Sequence, residues 1–223
     1  MKMLGYSAMG VGRFDAHLGD VFYATAKERG IQVVEAGPNQ PAGVLPYIIK
    51  NINGVKIGII SFGSKEASSL ANEKSLNILK ARFVAFREAR KASDVLIMLD
   101  EDGVATDDWL QRNIQRLGSP DVVIGSSVHG QSSVGRKVGT TVIAPIVLQA
   151  RNMGVISIYA GDKSNIRIET SSIELGEKYA DDQQVADFVA KPVQSQASAT
   201  KPTPAPPPGT LPPPPPPPAG AQK

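Results

Sequence analysis

The chain contains no cysteine. Disulfides, thiolate zinc sites and haem attachment through CxxCH are therefore excluded. Histidine is nearly absent too: His17 and His129 are the two present. With so few, a Ser-His-Asp triad has little to draw on, and no GxSxG elbow occurs. Aromatic residues make up 5% of the chain, and no Lys/Arg stripe with interleaved aromatics appears. That pattern does not support binding to a nucleic-acid polymer. No run of 18 apolar residues exists, so no helical membrane span is expected. The N-terminal stretch MKMLGYSAMGVG has one lysine and is broken by glycines, a poor match to a signal peptide. The compartment stays open.

What is present divides into two parts. From Lys191 the chain reads KPVQSQASATKPTPAPPPGTLPPPPPPPAGAQK, with 13 of the 18 prolines and no acidic residue. Such a segment has too little apolar surface to offset its ordering entropy, so disorder is expected over 191–223. Pro212–Pro218 favours polyproline II, a spacer or a ligand for aromatic grooves of a protein partner. Residues 1–190 form the expected folded domain. The formal charge of +3 belongs to Lys191, Lys201 and Lys223, because the rest balances at 21 basic and 21 acidic residues. The pI of about 9.1 therefore says little about partners.

Short β-branched runs alternate with helical patterns. Gln32–Ala36, Tyr47–Asn51, Val55–Phe62, Asp94–Leu99, Asp121–Gly125, Thr140–Pro145, Val155–Tyr159 and Ile166–Ile173 read as strands. Asp15–Arg29 reads as a helix with Leu18, Val21, Phe22 and Ala26 inward. Glu73–Ala92 reads as a second, burying Leu76, Leu79, Phe83, Phe86 and Ala89, and Asp107–Leu117 as a third. Asn53-Gly54 signals a hairpin. The apolar runs VLIML and VVI predict central strands covered on both faces. The alternation of Ile166, Ile168 and Thr170 with Arg167 and Glu169 predicts an antiparallel outer part. Gly130–Gly139, GQSSVGRKVG, has two cations but lacks GxxxxGK[ST] and a following helix, so it reads as a connection into the next strand.

Four stretches carry a resemblance. They are LGYSAMGVGRFD (Leu4–Asp15), GVKIGIISFG (Gly54–Gly63), DVLIMLDEDG (Asp94–Gly103) and PDVVIGSSVHG (Pro120–Gly130). Together, in this order, they resemble the calcineurin-like metallophosphoesterase domain of the bacterial 5′-nucleotidase/UDP-sugar hydrolase family. There the matching stretches run close to LGYDAxxxGNHEFD, GVKIGIIG, DVVIxLSHxG and DVIIGGHxH. The likeness extends over about residues 3–190, including a closing strand, acidic turn and short helix over Ile173–Val189. It implies an α/β/β/α layered sandwich lacking its first β-α-β segment. It also implies metal-dependent hydrolysis of nucleotides or other phosphomonoesters, with divalent ions (Mn, Zn or Mg) as cofactor. Relatives of this kind are often exported.

The chemistry-bearing positions depart from that pattern. Gly12 matches the Gly of GNHE, but Arg13, Phe14 and Asp15 stand where Asn, His and Glu would be. Glu101 replaces the His of SHxG and Ser127 the first His of GHxH, while His129 fits a ligand His. The family's early Asp-x-His and Gly-Asp segments have no counterpart. The candidate metal ligands are therefore His129 and Glu101, with Arg13, Asp100 and Ser127 as candidate pocket residues. A guanidinium at Arg13 would take a cation's place and pair with Glu101 or Asp100, or bind a phosphate. The acidic run Asp100, Glu101, Asp102 with Asp107 and Asp108 suits a hard cation, or simply a solvated turn with a helix cap. These substitutions predict a degenerate domain that binds or supports. The competing expectations are a hydrolase with a reorganised site and an interaction protein working through its tail.

Overall fold

The computed structural model describes residues 5–12, 15–38, 40–62, 73–100, 118–125, 135–144, 152–160, 165–176 and 179–190. The expected helix at Asp107–Leu117 and the tail from Lys191 lie outside them. The chain divides into two units, Met1–Ala180 and Asp181–Lys223.

The first unit opens with three parallel strands in the order β1-β2-β3: β1 (Ala8–Gly10), β2 (Gln32–Val34) and β3 (Val44–Leu45). Helix α1 (Gly19–Glu28) connects β1 to β2. It covers the sheet through a cluster of Val11, Tyr23, Ala26, Ile31, Val33 and Val44. Six further strands form a second sheet: β4 (Tyr47–Ile52), β5 (Val55–Ser61), β6 (Val95–Asp100), β7 (Val122–Gly125), β8 (Arg136–Val138) and β9 (Thr141–Ile143). Their order is β4-β5-β6-β7-β9-β8. The inner pairs are parallel and the outer two, β4-β5 and β8-β9, antiparallel. Helix α2 (Glu73–Ala92) crosses from β5 to β6. Its Ala85, Phe86 and Ala89 pack on Ile60, Phe62, Leu96, Met98 and Val123. An antiparallel ribbon, β10 (Asn152–Ala160) with β11 (Ile166–Glu174), completes the unit. In the second unit Asp182 starts α3 (Gln183–Ala190), its Oδ1 accepting from the Gln184 and Val185 amides at 2.9 and 3.1 Å.

The architecture is the mixed α/β class read from the sequence, and several local signals act as expected. Asn53 and Gly54 adopt φ of 52° and 84°, the left-handed pair that a two-residue hairpin requires. The ribbon alternates as its pattern demands, with Ile166, Ile168 and Thr170 half-buried and Arg167 and Glu169 exposed.

Other expectations need correction. Asp15–Arg29 is not one helix. A 3₁₀ turn covers Asp15–Leu18, and α1 starts after it at Gly19, whose φ of 72° breaks the helical run. The interruption shifts the helical phase: Leu18 and Val21 are 50% and 80% exposed and Tyr23 is buried instead, while Ala26 is buried as expected. On α2, Leu76 is exposed and the inward stripe is Ile78, Arg82, Ala85, Phe86 and Ala89. The central strands are fully covered on the α2 side. On the other face Ile97, Leu99 and Ile124 remain half-buried. Strands β1, β3 and β8 were not expected; β8 lies within the stretch read as a simple connection.

Candidate functional site

Ligands in layered α/β folds gather beyond the carboxyl ends of parallel strands. Here those ends meet through a continuous set of main-chain bonds. The Val11 amide donates to Val34 O (3.3 Å), Ala36 to Ser61 O (2.9 Å), Phe62 to Leu99 O (2.9 Å) and Ala144 to Val123 O (2.8 Å). Asp100 lies opposite Gly125 in the β6-β7 register. Gly12, Phe62, Asp100 and Gly125, which come from all four motif stretches, thus stand at the carboxyl ends of β1, β5, β6 and β7.

The first motif ends in a tight turn. The Gly12 amide donates to Asp15 Oδ2 at 3.0 Å, and the Asp15 amide donates to Gly12 O at 3.0 Å. Asp15 therefore closes a local loop with its carboxylate. Tyr23 donates its hydroxyl to Asp15 O at 3.0 Å from the next helix. Burial, and then the negative charges of Glu35, Asp15 and Asp20, hold the Tyr23 hydroxyl above its ordinary 10.0.

Asp100 is fully buried at the end of β6, on the strand face that also carries Leu96 and Met98. Arg13, Phe14, Glu101, Ser127 and His129 lie outside the described residues. Of the candidate site residues the structure therefore places Asp100. Among the described residues no three His, Asp or Glu side chains come together to hold a metal ion. Asp15 is engaged in its turn and Asp100 sits in the sheet interior.

Two polar residues at this end had not been singled out. Arg82 is 1% exposed. Its Nε donates to Ala36 O at 3.1 Å, and its guanidinium carbon lies 5.3 Å from the Phe62 ring centroid. Arg82 thereby ties α2 to the segment leaving β2 and to the end of β5. Ser61 is fully buried beside it in the chain of main-chain bonds, and its Oγ makes no hydrogen bond among the described residues. The available signal was positional: Arg82 falls four residues from Ile78 and from Phe86, so a charge sits on the apolar stripe.

The motif aspartates Asp94 and Asp121 lie at the opposite, amino ends of β6 and β7. Asp94 exchanges two bonds with Lys56: amide to Lys56 O at 2.8 Å, and Oδ2 accepting from the Lys56 amide at 2.8 Å. Asp121 does the same with Leu96, at 2.9 and 2.7 Å. Asp121 also pairs with Arg90, whose Nη2 reaches Ser93 O and Asp94 O at 3.1 and 2.9 Å. Both aspartates set strand register; neither lies at the carboxyl-end site.

No family model matches the chain, and no curated protein matches it. Solved structures do. A 5′-nucleotidase precursor of Thermus thermophilus superposes over 84% of this chain and 42% of its own, with a TM-score of 0.59 and 16% identity. The sulfate thiohydrolase SoxB of Thermus thermophilus, solved with glycerol, covers 84% of this chain and 36% of its own, with a TM-score of 0.60 and 13% identity. The chain spans less than half the length of either. At these identities the likeness is one of fold: a 5′-nucleotidase-like α/β layer structure. No described helix is long and apolar enough to cross a membrane.

Proposed function

We propose that this chain is a metallophosphoesterase-type domain that no longer carries out two-metal hydrolysis and serves as a binding or structural module. The observation that supports it is the contrast at the four motif stretches. The frame residues Gly12, Gly103 and Gly125 keep their places in the sequence, while Arg13, Phe14, Glu101 and Ser127 occupy positions where the resembled family has Asn and His. Two-metal catalysis needs ligands that lower the pKa of a bridging water and hold the phosphoryl oxygens. A guanidinium, a phenyl ring and a hydroxyl cannot do this in their stead. Arg13 can still meet a phosphate or nucleotide by charge-assisted hydrogen bonds.

A metal-dependent phosphohydrolase with a reorganised site is the second reading. His129, at a ligand position, together with Glu101 and Asp100, favours it. The proline-rich segment from Lys191 is proposed as a spacer or a ligand for a protein partner.

The test is metal content and turnover together. Purified protein is incubated with Mn²⁺ and Zn²⁺, desalted, and measured by elemental analysis; phosphate release from nucleotides is followed in parallel. The expected result is well under one ion per chain and no metal-dependent release. Two ions per chain with release of phosphate would overturn the reading in favour of the hydrolase.

A further inference from the structure

An open strand edge is a row of unpaired main-chain N–H and C=O groups, and folds guard such rows with charge, proline or brevity. Most edges of the described sheets are guarded in this way. Strands β1 and β3 have three and two residues. Strand β4 carries Lys50, and β8 carries Arg136 and Lys137. The ribbon adds two edges, because β10 and β11 pair with each other and with no other described strand. Strand β11 carries Arg167, Glu169 and Glu174. Strand β10 differs from all of these. Its nine residues, Asn152–Ala160, include no charge and no proline, and its register with β11 runs without a bulge.

Strand β11 is also the one held against the rest of the unit. A Cβ on Gly135 would lie 2.1 Å from Thr170 Oγ1, so the start of β8 and β11 touch. Ile168 and Thr170 line a space shared with Val142 of β9. That leaves β10 as the outer strand of the ribbon.

The side chains of β10 are self-complementary about Ile156. Met153 and Tyr159 lie three residues to either side of it and share one face, where they are 49% and 46% exposed. If the strand meets a second copy of itself antiparallel, with Ile156 on the two-fold axis, each Met153 lies opposite the partner's Tyr159. A thioether against an aromatic ring is a favourable cross-strand pair. Arg167, the neighbour of Tyr159 across the ribbon, lies 4.4 Å from the ring centroid and bonds Glu169 at 2.6 Å, so the ring is already braced on this face. Val155 falls opposite the partner's Ser157. On the other face Gly154 leaves room for the partner's Ile158.

We propose that β10 is a homodimer seam: two copies join edge to edge through Asn152–Ala160 and form one four-stranded antiparallel sheet, in the order β11-β10-β10-β11. The two-fold pairs both open β10 edges, so the assembly closes at two copies. One strand from each copy makes a contact at the small end of specific interfaces, and a dissociation constant of about 10–100 µM is expected. The seam does not depend on what the carboxyl ends of β1, β5, β6 and β7 bind.

The test is sedimentation equilibrium of the full chain over roughly two decades of concentration around that value. A monomer–dimer equilibrium is expected, with amide exchange at Asn152–Ala160 slowing as concentration rises. Met153→Glu sets a carboxylate against the partner's Tyr159 and should weaken association about tenfold, because each substitution enters the two-fold contact twice. Tyr159→Lys alone should weaken it likewise. Combined in one chain, the two substitutions face each other across the seam. The double variant should return to within about threefold of the parent, and its association should weaken as salt rises. Both side chains are exposed, and unchanged monomer spectra verify the fold. A parent that stays monomeric, growth beyond the dimer, a dimer indifferent to Met153→Glu, or a double variant no tighter than the single ones would each overturn the proposal.

Discussion

Replacing Asp121 by Ala tests the claim that the second motif aspartate is a register clamp. Its Oδ2 accepts the Leu96 amide at 2.7 Å and also pairs with Arg90. Loss of a hydrogen bond to a charged acceptor costs about 1.5–3 kcal/mol. The ion pair is 25% and 33% exposed on its two sides, so solvent screening reduces it to about 0.5–1 kcal/mol. Together the substitution should cost about 2–4 kcal/mol. A domain of this size loses roughly 2–4 °C of midpoint per kcal/mol, so the melt should fall by about 5–15 °C. Asp121→Asn keeps an acceptor for the Leu96 amide and loses the charge; about half the effect should remain.

The assay is urea unfolding of Asp121→Ala, Asp121→Asn, Arg90→Met and the Ala/Met double variant. Most of the loss should trace to the Leu96 amide, so the Asp121–Arg90 coupling in the double-mutant cycle should not exceed about 1 kcal/mol. Phosphate and Mn²⁺ binding should be unchanged, because Asp121 lies at the amino end of β7. A loss below about 0.5 kcal/mol for Asp121→Ala, or a ligand-binding defect at unchanged stability, would refute the clamp.

Two further outcomes follow from local geometry. Tyr23 holds its proton above pH 10.0 in the folded state, so its contribution to stability is fully present below pH 10 and is lost as pH rises through the folded value. Tyr23→Phe should therefore lose about 0.5–1.5 kcal/mol at neutral pH, from the missing bond to Asp15 O, and decline less steeply than the parent above pH 10 in alkaline unfolding curves. Gly54→Ala places a side chain at φ 84° in the β4-β5 turn and should cost about 1 kcal/mol or more by thermal melt, whereas Gly54→Asn should cost less.

How much was legible depended on how local the cause was. The Asn53-Gly54 hairpin and helix Glu73–Ala92 rest on turn chemistry and a long periodic pattern, and both stand where the pattern put them. Asp15–Arg29 misled because one glycine changed the phase, which moved Leu18 and Val21 outward and Tyr23 inward. Strand β1, Ala8-Met9-Gly10, holds no β-branched residue; its pairing with Gln32–Val34 alone makes it a strand. Strands β3 and β8 carry one valine each and, with two and three residues, are too short to show a pattern. Arg82 was hidden because a lone arginine in a charged helix reads as solvated, and only the packing of Phe62 and Ala36 against α2 shows otherwise. At the site, the resemblance marked Gly12 and Gly125 as frame positions and Asp100 as a pocket candidate, and these three stand at the carboxyl ends of β1, β7 and β6.

The two halves of each motif answer to different physics, so the frame can form whatever the ligand positions carry. Asp94 and Asp121 each close two main-chain bonds between neighbouring strands, and Asp15 closes the turn at Gly12. These residues act on folding whatever occupies the site. A metal ligand at a strand end contributes to folding chiefly when the ion is bound; without it, a cluster of carboxylates and imidazoles is a source of repulsion and desolvation. Under the proposed function, Arg, Phe, Glu and Ser at positions 13, 14, 101 and 127 would remove chemistry without removing the register clamps, and Arg13 would bring a positive charge of its own. Under that proposal fold and reaction are separable at the level of single residues. The fold-level likeness to 5′-nucleotidase-type structures accordingly supports the layer architecture and leaves activity to be decided by metal content and turnover.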